Sequence, residues 1–329
     1  MTESAVIQPK PGIGDVIWHL PFIRAIAAVS PGGKVTFLAP PTSGALELLA
    51  AEPSIAETIL FEHAGSELRR GINLLRLTAL LRQRRFRSIW ILDRTIRPAL
   101  AALLAGIPER IGVGLTAQRW YITNRGIAPS HFHDRPIACL VTLLTDMGVP
   151  LPSTEPQLPI KAATLAAVGA KYAACRRPWL VLGIGASHPD KDWPEPHWVE
   201  LLAALRKRGS ATLFLIGGPG QAARAQRLIA ATPAAAAIDA CDLKLSEAAA
   251  LLRHADLFIG NDSGPLNLAA AVGTDAFGLF GWTPVLTYSK FIHPIVPAGG
   301  PAPGGLPRIL PAHVLKEIEP YLSAPKPRG

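Results

Sequence analysis

Cysteine is scarce in this chain of 329 residues: Cys139, Cys175 and Cys241 stand too far apart for a zinc knuckle or a redox pair, so a reducing compartment is expected. Charged residues are also few, at 17% against 49% hydrophobic, which excludes a disordered chain and calls for extensive burial. No uncharged apolar run reaches the length of a membrane span without a strong breaker, and the start Met1-Thr2-Glu3-Ser4 lacks the basic and apolar parts of a secretion signal. A cytoplasmic protein is the expectation. The chain further lacks a Walker ending, a complete dinucleotide fingerprint, a Gly-x-Ser-x-Gly elbow, a zinc finger, a basic zipper and an aromatic RNA-binding motif. Covalent acyl chemistry and nucleic-acid recognition therefore have no motif to carry them.

What the chain does have is positive charge. Lys and Arg number 33 against 24 Asp and Glu, a net charge of +9 that favours a nucleotide, an acidic glycolipid surface or nucleic acid as partner. Basic residues concentrate from Arg69 to Arg97. Within that stretch, Leu74 to Arg82 reads as a helix whose apolar residues cover a sheet while its arginines face water. Attraction to an anionic membrane leaflet is the sharper alternative, but it asks the apolar face to serve two uses.

Strand and helix patterns alternate along the first half. Strand candidates are Ala5 to Gln8, Lys34 to Ala39, Ile55 to Phe61, Ser88 to Leu92 and Arg110 to Val113. Helices are expected over Asp15 to Val29, Ser43 to Ala51, the stretch before Phe86, Pro98 to Ala105, and His133 to Met147. This rhythm implies βα crossovers in a largely parallel sheet. A Pro-rich change at Gly148 to Pro156 reads as an interdomain connection, giving domains 1–155 and 156–329. Beyond it, strands are expected at Trp179 to Ile184, Ala211 to Ile216, Asp256 to Ile259 and from Ala276. The intervening helices are expected at Glu195 to Arg208, Ala222 to Ala231, around Ser246 to Leu252, and Pro265 to Val272. Pro294 to Leu310 reads as a loop, and Val314 to Leu322 as a short helix that could pack back toward the first domain.

Two junctions carry chemistry. Phe258-Ile259-Gly260-Asn261-Asp262-Ser263-Gly264-Pro265-Leu266-Asn267 places small polar residues between a strand and an Ala-rich helix. The first-turn N–H groups and the helix dipole suit a phosphate there, with Ser263 as an added donor, although such clusters also cap helices without a ligand. Pro11-Gly12-Ile13-Gly14-Asp15 joins the first strand to the first helix; its glycines permit a close ligand approach, and Asp15 either caps the helix or acts as a base at its mouth.

Taken together with Ser187-His188-Pro189-Asp190-Lys191-Asp192-Trp193-Pro194, Gly217-Gly218-Pro219 and Leu279-Phe280-Gly281-Trp282-Thr283-Pro284, these segments resemble glycosyltransferase family 9, in order and over nearly the whole chain. That group includes the ADP-heptose:lipopolysaccharide heptosyltransferases. The resemblance implies an α/β GT-B fold of two Rossmann-like domains, acceptor binding in the first and nucleotide-sugar binding in the second. It implies Asp15 as the catalytic base, Lys191 as a donor-phosphate ligand, and Ser187 with Asp262, Ser263 and Gly264 as further diphosphate contacts. The reaction implied is inverting and needs no metal: Asp15 takes the acceptor proton while Lys191 and the helix terminus stabilise the departing diphosphate.

Acceptor contacts are expected from Gly12, Gly14, Arg94, Arg97, Arg119, Trp120, His131 and His133, where basic and aromatic groups suit acidic sugars, although scattered surface residues explain the same composition. His131, His133 and Asp134 do not complete a metal shell, and Asp190 and Asp192, bracketing Lys191, read as a polar loop or as charge partners of that lysine. Two residues depart from the family pattern. Asn267 stands where many relatives have histidine, and Gln221 lies near an acidic residue that heptosyltransferases use to hold the donor ribose. The expected partners are a nucleotide-sugar donor, ADP-heptose or another, and an anionic glycolipid or oligosaccharide acceptor, with peripheral contact at the inner membrane and no nucleic acid. A non-catalytic carbohydrate or nucleotide-sugar binding relative is the alternative of a different class.

Overall fold

Continuous apolar strands such as β1 (Ser4–Ile7) and β2 (Val35–Ala39) have every residue buried, the pattern of a parallel sheet covered on both faces. The computed structural model describes residues 3–62, 66–186, 188–209, 211–232, 237–286 and 288–322. The chain divides into two units, Met1–Leu158 and Pro159–Gly329.

The first unit adds β3 (Ile55–Leu60), β4 (Ser88–Ile91) and β5 (Glu109–Gly112) to a sheet of order β3-β2-β1-β4-β5, parallel throughout. Its helices are α1 (Ile13–Val29), α2 (Ala45–Leu48), α3 (Glu67–Arg84), α4 (Ile96–Leu104) and α5 (Pro136–Asp146). Ile7, Leu38, Ile89 and Ile91 from the sheet meet Leu77 and Leu81 of α3 and Ala99 and Ala102 of α4 in one apolar layer.

The second unit runs α6 (Ala162–Lys171), β6 (Trp179–Gly183), α7 (Glu195–Arg208), β7 (Thr212–Ile216), α8 (Ala222–Ala231), β8 (Ala237–Asp239), α9 (Leu245–His254), β9 (Leu257–Asn261), α10 (Gly264–Ala271), β10 (Ala276–Leu279), β11 (Ile292–Ile295) and α11 (Pro311–Leu322). Its sheet order is β11-β10-β9-β6-β7-β8, again parallel throughout. Trp193 and Trp198 are fully buried in its core.

In each sheet two neighbouring strands send their connections to opposite edges. In the first they are β1 and β4, in the second β6 and β9. The loops leaving their carboxyl ends diverge, and such a switch point is where open α/β sheets hold ligands.

Several boundaries differ from the sequence reading. The helix expected over Ser43 to Ala51 shrinks to α2, because Gly44 ahead of it adopts a left-handed φ of 68°. Helix α1 begins at Ile13, so Gly12 is its N-cap and Asp15 lies inside the first turn rather than capping it. The segment read as loop from Pro294 starts inside β11, and α6 and β8 had no counterpart in the reading. Within the second unit, Val314 and Ile318 of α11 enter the core and the helix packs on α7. The three cysteines are free, and burial, then Asp239, pushes the Cys241 thiol up to about 12.

Candidate active site

At the first switch point, the turn after β1 delivers Asp15 to the first turn of α1. Its carboxylate folds back over Gly12, where an added Cβ would stand 2.7 Å from Asp15 Oδ2. Glycine at position 12 therefore leaves the room in which this carboxylate sits. One turn on, the buried His19 ring touches the Asp15 carbonyl with Nδ1 and lies 3.1 Å from the Leu92 carbonyl with Nε2, tying α1 to the end of β4. Burial, outweighing the nearby Asp15, pushes His19 below its ordinary value of 6.5 and favours a neutral ring. A neutral ring has one N–H, so only one of these carbonyls receives a proton.

The loop after β4 is held from outside the expected set. Gln118, fully buried, donates to the carbonyls of Asp93 at 2.7 Å and Thr95 at 2.9 Å and accepts from the Gly114 N–H at 2.8 Å. Between Asp93 and Thr95 stands Arg94. Its guanidinium donates to the carbonyls of Phe132 and Asp134 at 2.7 and 2.8 Å and to Cys139 Sγ at 3.0 Å. Arg94 thus fastens the short helical turn Pro129–His133, carrying His131 and His133, beside the strand end.

Arg94 and Arg97 also border a cavity of about 440 Å³ between the amino-terminal halves of α3 and α4. Phe61, Leu74, Leu77 and Pro98 make its walls apolar, and Arg70 adds a third guanidinium against a single carboxylate, Glu62, in the lining. An apolar chamber rimmed by cations suits an anionic amphiphile. The remaining expected acceptor residues do not line it. His131 pairs with Asp134 at 2.7 Å, His133 is exposed against Phe132, and Arg119 covers Trp120, whose ring is 71% exposed.

At the second switch point, Lys191 from the loop after β6 meets Asp262 from the end of β9, Nζ to Oδ2 at 2.7 Å. Thr283, following β10, donates to the same oxygen at 2.6 Å. Ser263 is the N-cap residue of α10 but does not cap it; its hydroxyl donates to the Asn261 carbonyl at 3.2 Å. Gly264 opens the helix, and the buried Asn267 donates back to the Ser263 carbonyl at 3.1 Å. Beside this cluster His188 and Trp282 stack with centroids 5.2 Å apart, a flat shelf next to the cation.

The loop bearing Lys191 is anchored by a residue the sequence reading passed over. Arg224 of α8, buried, donates to the carbonyls of Ile184 and Trp193, both at 2.8 Å, and to both oxygens of Asp192 at 2.5 and 2.6 Å. Asn261 completes the frame, donating to Asp192 at 3.1 Å and accepting from the Trp193 N–H at 3.1 Å. Asp192 therefore partners Arg224 rather than Lys191, and Asp190 lies 3.4 Å from His188, so of the two expectations the polar loop holds and the pairing with Lys191 does not. An arginine on a helix surface pattern gives no sign from sequence that it points inward.

Gln221 enters this region from the turn before α8. A Cβ added at Gly185 or Gly217 would stand 2.9 or 2.8 Å from its side chain, so both glycines make room for it at the ends of β6 and β7. Ser187 lies outside the described residues. Among the described residues no group of three His, Cys, Asp or Glu forms a metal site, and no helix is long and apolar enough to cross a membrane.

Comparison with known proteins agrees with this geometry. The profile of glycosyltransferase family 9 (heptosyltransferase) matches residues 74–295, spanning Arg94, Lys191, Arg224 and Asp262. Lipopolysaccharide heptosyltransferase 2 of Salmonella typhimurium is 25% identical, the alignment covering 97% of this chain and 98% of the relative. The structure of the Escherichia coli ADP-heptose lipopolysaccharide heptosyltransferase II is similar with a TM-score of 0.78 and 25% identity, covering 98% of each chain. A family 9 glycosyltransferase from Veillonella parvula has the same fold, with a TM-score of 0.81, 18% identity and coverage of 98% and 97%. Two parallel sheets of Rossmann type, each with its polar cluster at the switch point, together with a family profile matched over most of the chain, establish that the protein belongs to glycosyltransferase family 9.

Proposed function

We propose that the protein transfers a sugar from a nucleotide-sugar, ADP-heptose, to a lipopolysaccharide-core or related surface glycan, at the cytoplasmic face of the inner membrane. The observation that carries this reading is the Lys191–Asp262 pair at the amino terminus of α10. An ammonium and a helix terminus directed to one place suit a diphosphate that gains charge as it leaves. The names of the relatives supply the heptose and the acceptor class.

In this mechanism the acceptor hydroxyl oxygen attacks the anomeric carbon as its proton passes to the Asp15 carboxylate. The bond from that carbon to the diphosphate oxygen breaks, and its electron pair leaves with the nucleoside diphosphate. Lys191 and the first turn of α10 compensate the new charge. Attack opposite the leaving group inverts the anomeric centre. The 440 Å³ cavity with Arg70, Arg94 and Arg97 takes the anionic acceptor in this reading.

A second reading within the same chemistry has a different nucleotide sugar as donor. It is favoured by Gln221, whose carboxamide lacks the negative charge that the heptosyltransferase pattern brings to the ribose. Mass spectrometry across ADP-, UDP-, GDP- and TDP-sugars with truncated core acceptors separates the two. A gain of one heptose from ADP-heptose that is lost in Asp15→Asn supports the first reading. The same gain from another donor supports the second, and binding without product by the native chain would point to a non-catalytic relative.

A further inference from the structure

Helix α3 has two apolar faces. The first holds Leu77 and Leu81 against the sheet, with Asn73 and Thr78 buried beside them. The second consists of Leu68, Ile72 and Leu75, spaced i, i+4 and i+7, which are 78%, 42% and 66% exposed. At the helical repeat these three fall within about 60° of arc on the side opposite the buried face. Arg69 and Arg76 run along one flank of this outer stripe; on the other, Arg82 donates to the Leu104 carbonyl at 2.6 Å. Glu67, in the first turn, is the only acidic residue of the helix.

We infer that this outer face of α3 is a docking surface for an anionic lipid bilayer, with the three side chains entering the acyl boundary and Arg69 and Arg76 meeting lipid phosphates. A single apolar stripe would have to choose between sheet and lipid; α3 does not face that choice. Charge selects the occupant. Two copies of the stripe would bring arginines against arginines, whereas an anionic leaflet complements them. The inner side of the same helix lines the cavity with Arg70, Asn73, Leu74 and Leu77, so a docked α3 presents that cavity close to the surface where a glycolipid is anchored. This link to the cavity rests on the proposed acceptor class, but the lipid contact itself does not require turnover.

The test is sedimentation of the full chain with vesicles of phosphatidylcholine alone or mixed with phosphatidylglycerol. The native protein is expected to bind the mixed vesicles, and Leu68→Gln with Leu75→Gln to weaken that binding by about tenfold or more, since two large apolar side chains no longer leave water. Arg69→Gln with Arg76→Gln is expected to cost about fivefold per arginine on mixed vesicles, with a smaller effect on neutral ones. All four sites are exposed, and unchanged thermal midpoints would verify the fold. Transfer to a water-soluble acceptor fragment should be unchanged in the Leu68/Leu75 variant, which separates lipid docking from the transferase reading. The proposal is overturned if the native chain ignores mixed vesicles, or if the Leu68/Leu75 variant binds them equally, because the net charge alone would then account for attachment. A dimer in analytical ultracentrifugation that this variant disperses would also overturn it, giving the stripe to a second copy.

Discussion

Lys191 and Asp262 form an ion pair 2.7 Å long across the second switch point, with Thr283 donating to the same carboxylate oxygen. The cation assigned to the diphosphate is thus oriented before any ligand arrives, and one of its three N–H donors is already engaged.

Lys191→Ala is expected to lower kcat/KM by about 10²- to 10³-fold, the range for removing one donor from a developing anion. Lys191→Arg should recover part of that loss. Thr283→Val removes one neutral-to-charged hydrogen bond and should raise the donor KM by about tenfold, with a thermal midpoint near that of the native protein. Steady-state kinetics at varied donor, beside thermal melts, checks all three.

Asp15→Asn should reduce kcat by about 10²- to 10⁴-fold while leaving donor affinity intact, as expected for loss of a general base. Gly12→Ala tests the same group by geometry. The Gly12 backbone, at φ −84° and ψ 144°, accepts alanine, so the new methyl acts mainly by displacing the Asp15 carboxylate 2.7 Å away. A fall in kcat of about 10²-fold is expected. An unchanged kcat in both variants would remove Asp15 from the chemistry.

Arg224→Met takes the buried donor from the Ile184 and Trp193 carbonyls, while Asp192 at 36% side-chain exposure remains open to water, and should destabilise the second unit by about 2–3 kcal/mol. Arg224→Lys keeps the charge but not the fork that reaches Asp192, Ile184 and Trp193 together, so a smaller loss of stability with a raised donor KM is expected. Denaturant unfolding and donor titration distinguish the two effects.

Acid should weaken the first unit in two windows. Burial keeps His19 below its ordinary 6.5, so as pH falls through that value the unfolded chain takes a proton that the folded one refuses, and stability declines. The slope of this limb approaches about 1.4 kcal/mol per pH unit. Burial alone would raise the Glu52 carboxyl, but hydrogen bonds from Arg24 and Ser54 hold it below its ordinary 4.5. Its contribution is present above that value and is lost as pH falls through the lowered one. Thermal melts should show His19→Gln flattening the upper limb and Glu52→Gln the lower.

Most of the architecture was legible because buried parallel strands such as Trp179–Gly183 and Thr212–Ile216 are continuous apolar runs, and helices such as Glu195–Arg208 start and stop at proline and glycine. What escaped was short or locally ambiguous. Strand β8 has three residues, and β11 carries Pro294, which suits an edge strand and also a loop. The position of the candidate residues was legible where a residue type and a strand-to-helix turn coincide, as with Asp15 in the first turn of α1 and with Lys191 and Asp262, which pair at 2.7 Å. It was not legible for Gln118 and Arg224, whose importance comes from carbonyls far away in sequence that only the folded loops bring within reach. For Arg119 and Trp120 the composition did not reveal that the guanidinium lies over the indole ring.

Each sheet is parallel throughout and is built from one uninterrupted stretch of chain, the first closing by Leu158. No strand pair in either sheet forms through a tight hairpin, so both units depend on distant pairings and are expected to fold slowly. The order of synthesis offsets this. The amino-terminal unit has all five of its strands once Gly112 has left the ribosome, and it is expected to acquire its core while the second sheet is still being translated, which would keep the apolar strands of the two units from competing for one another.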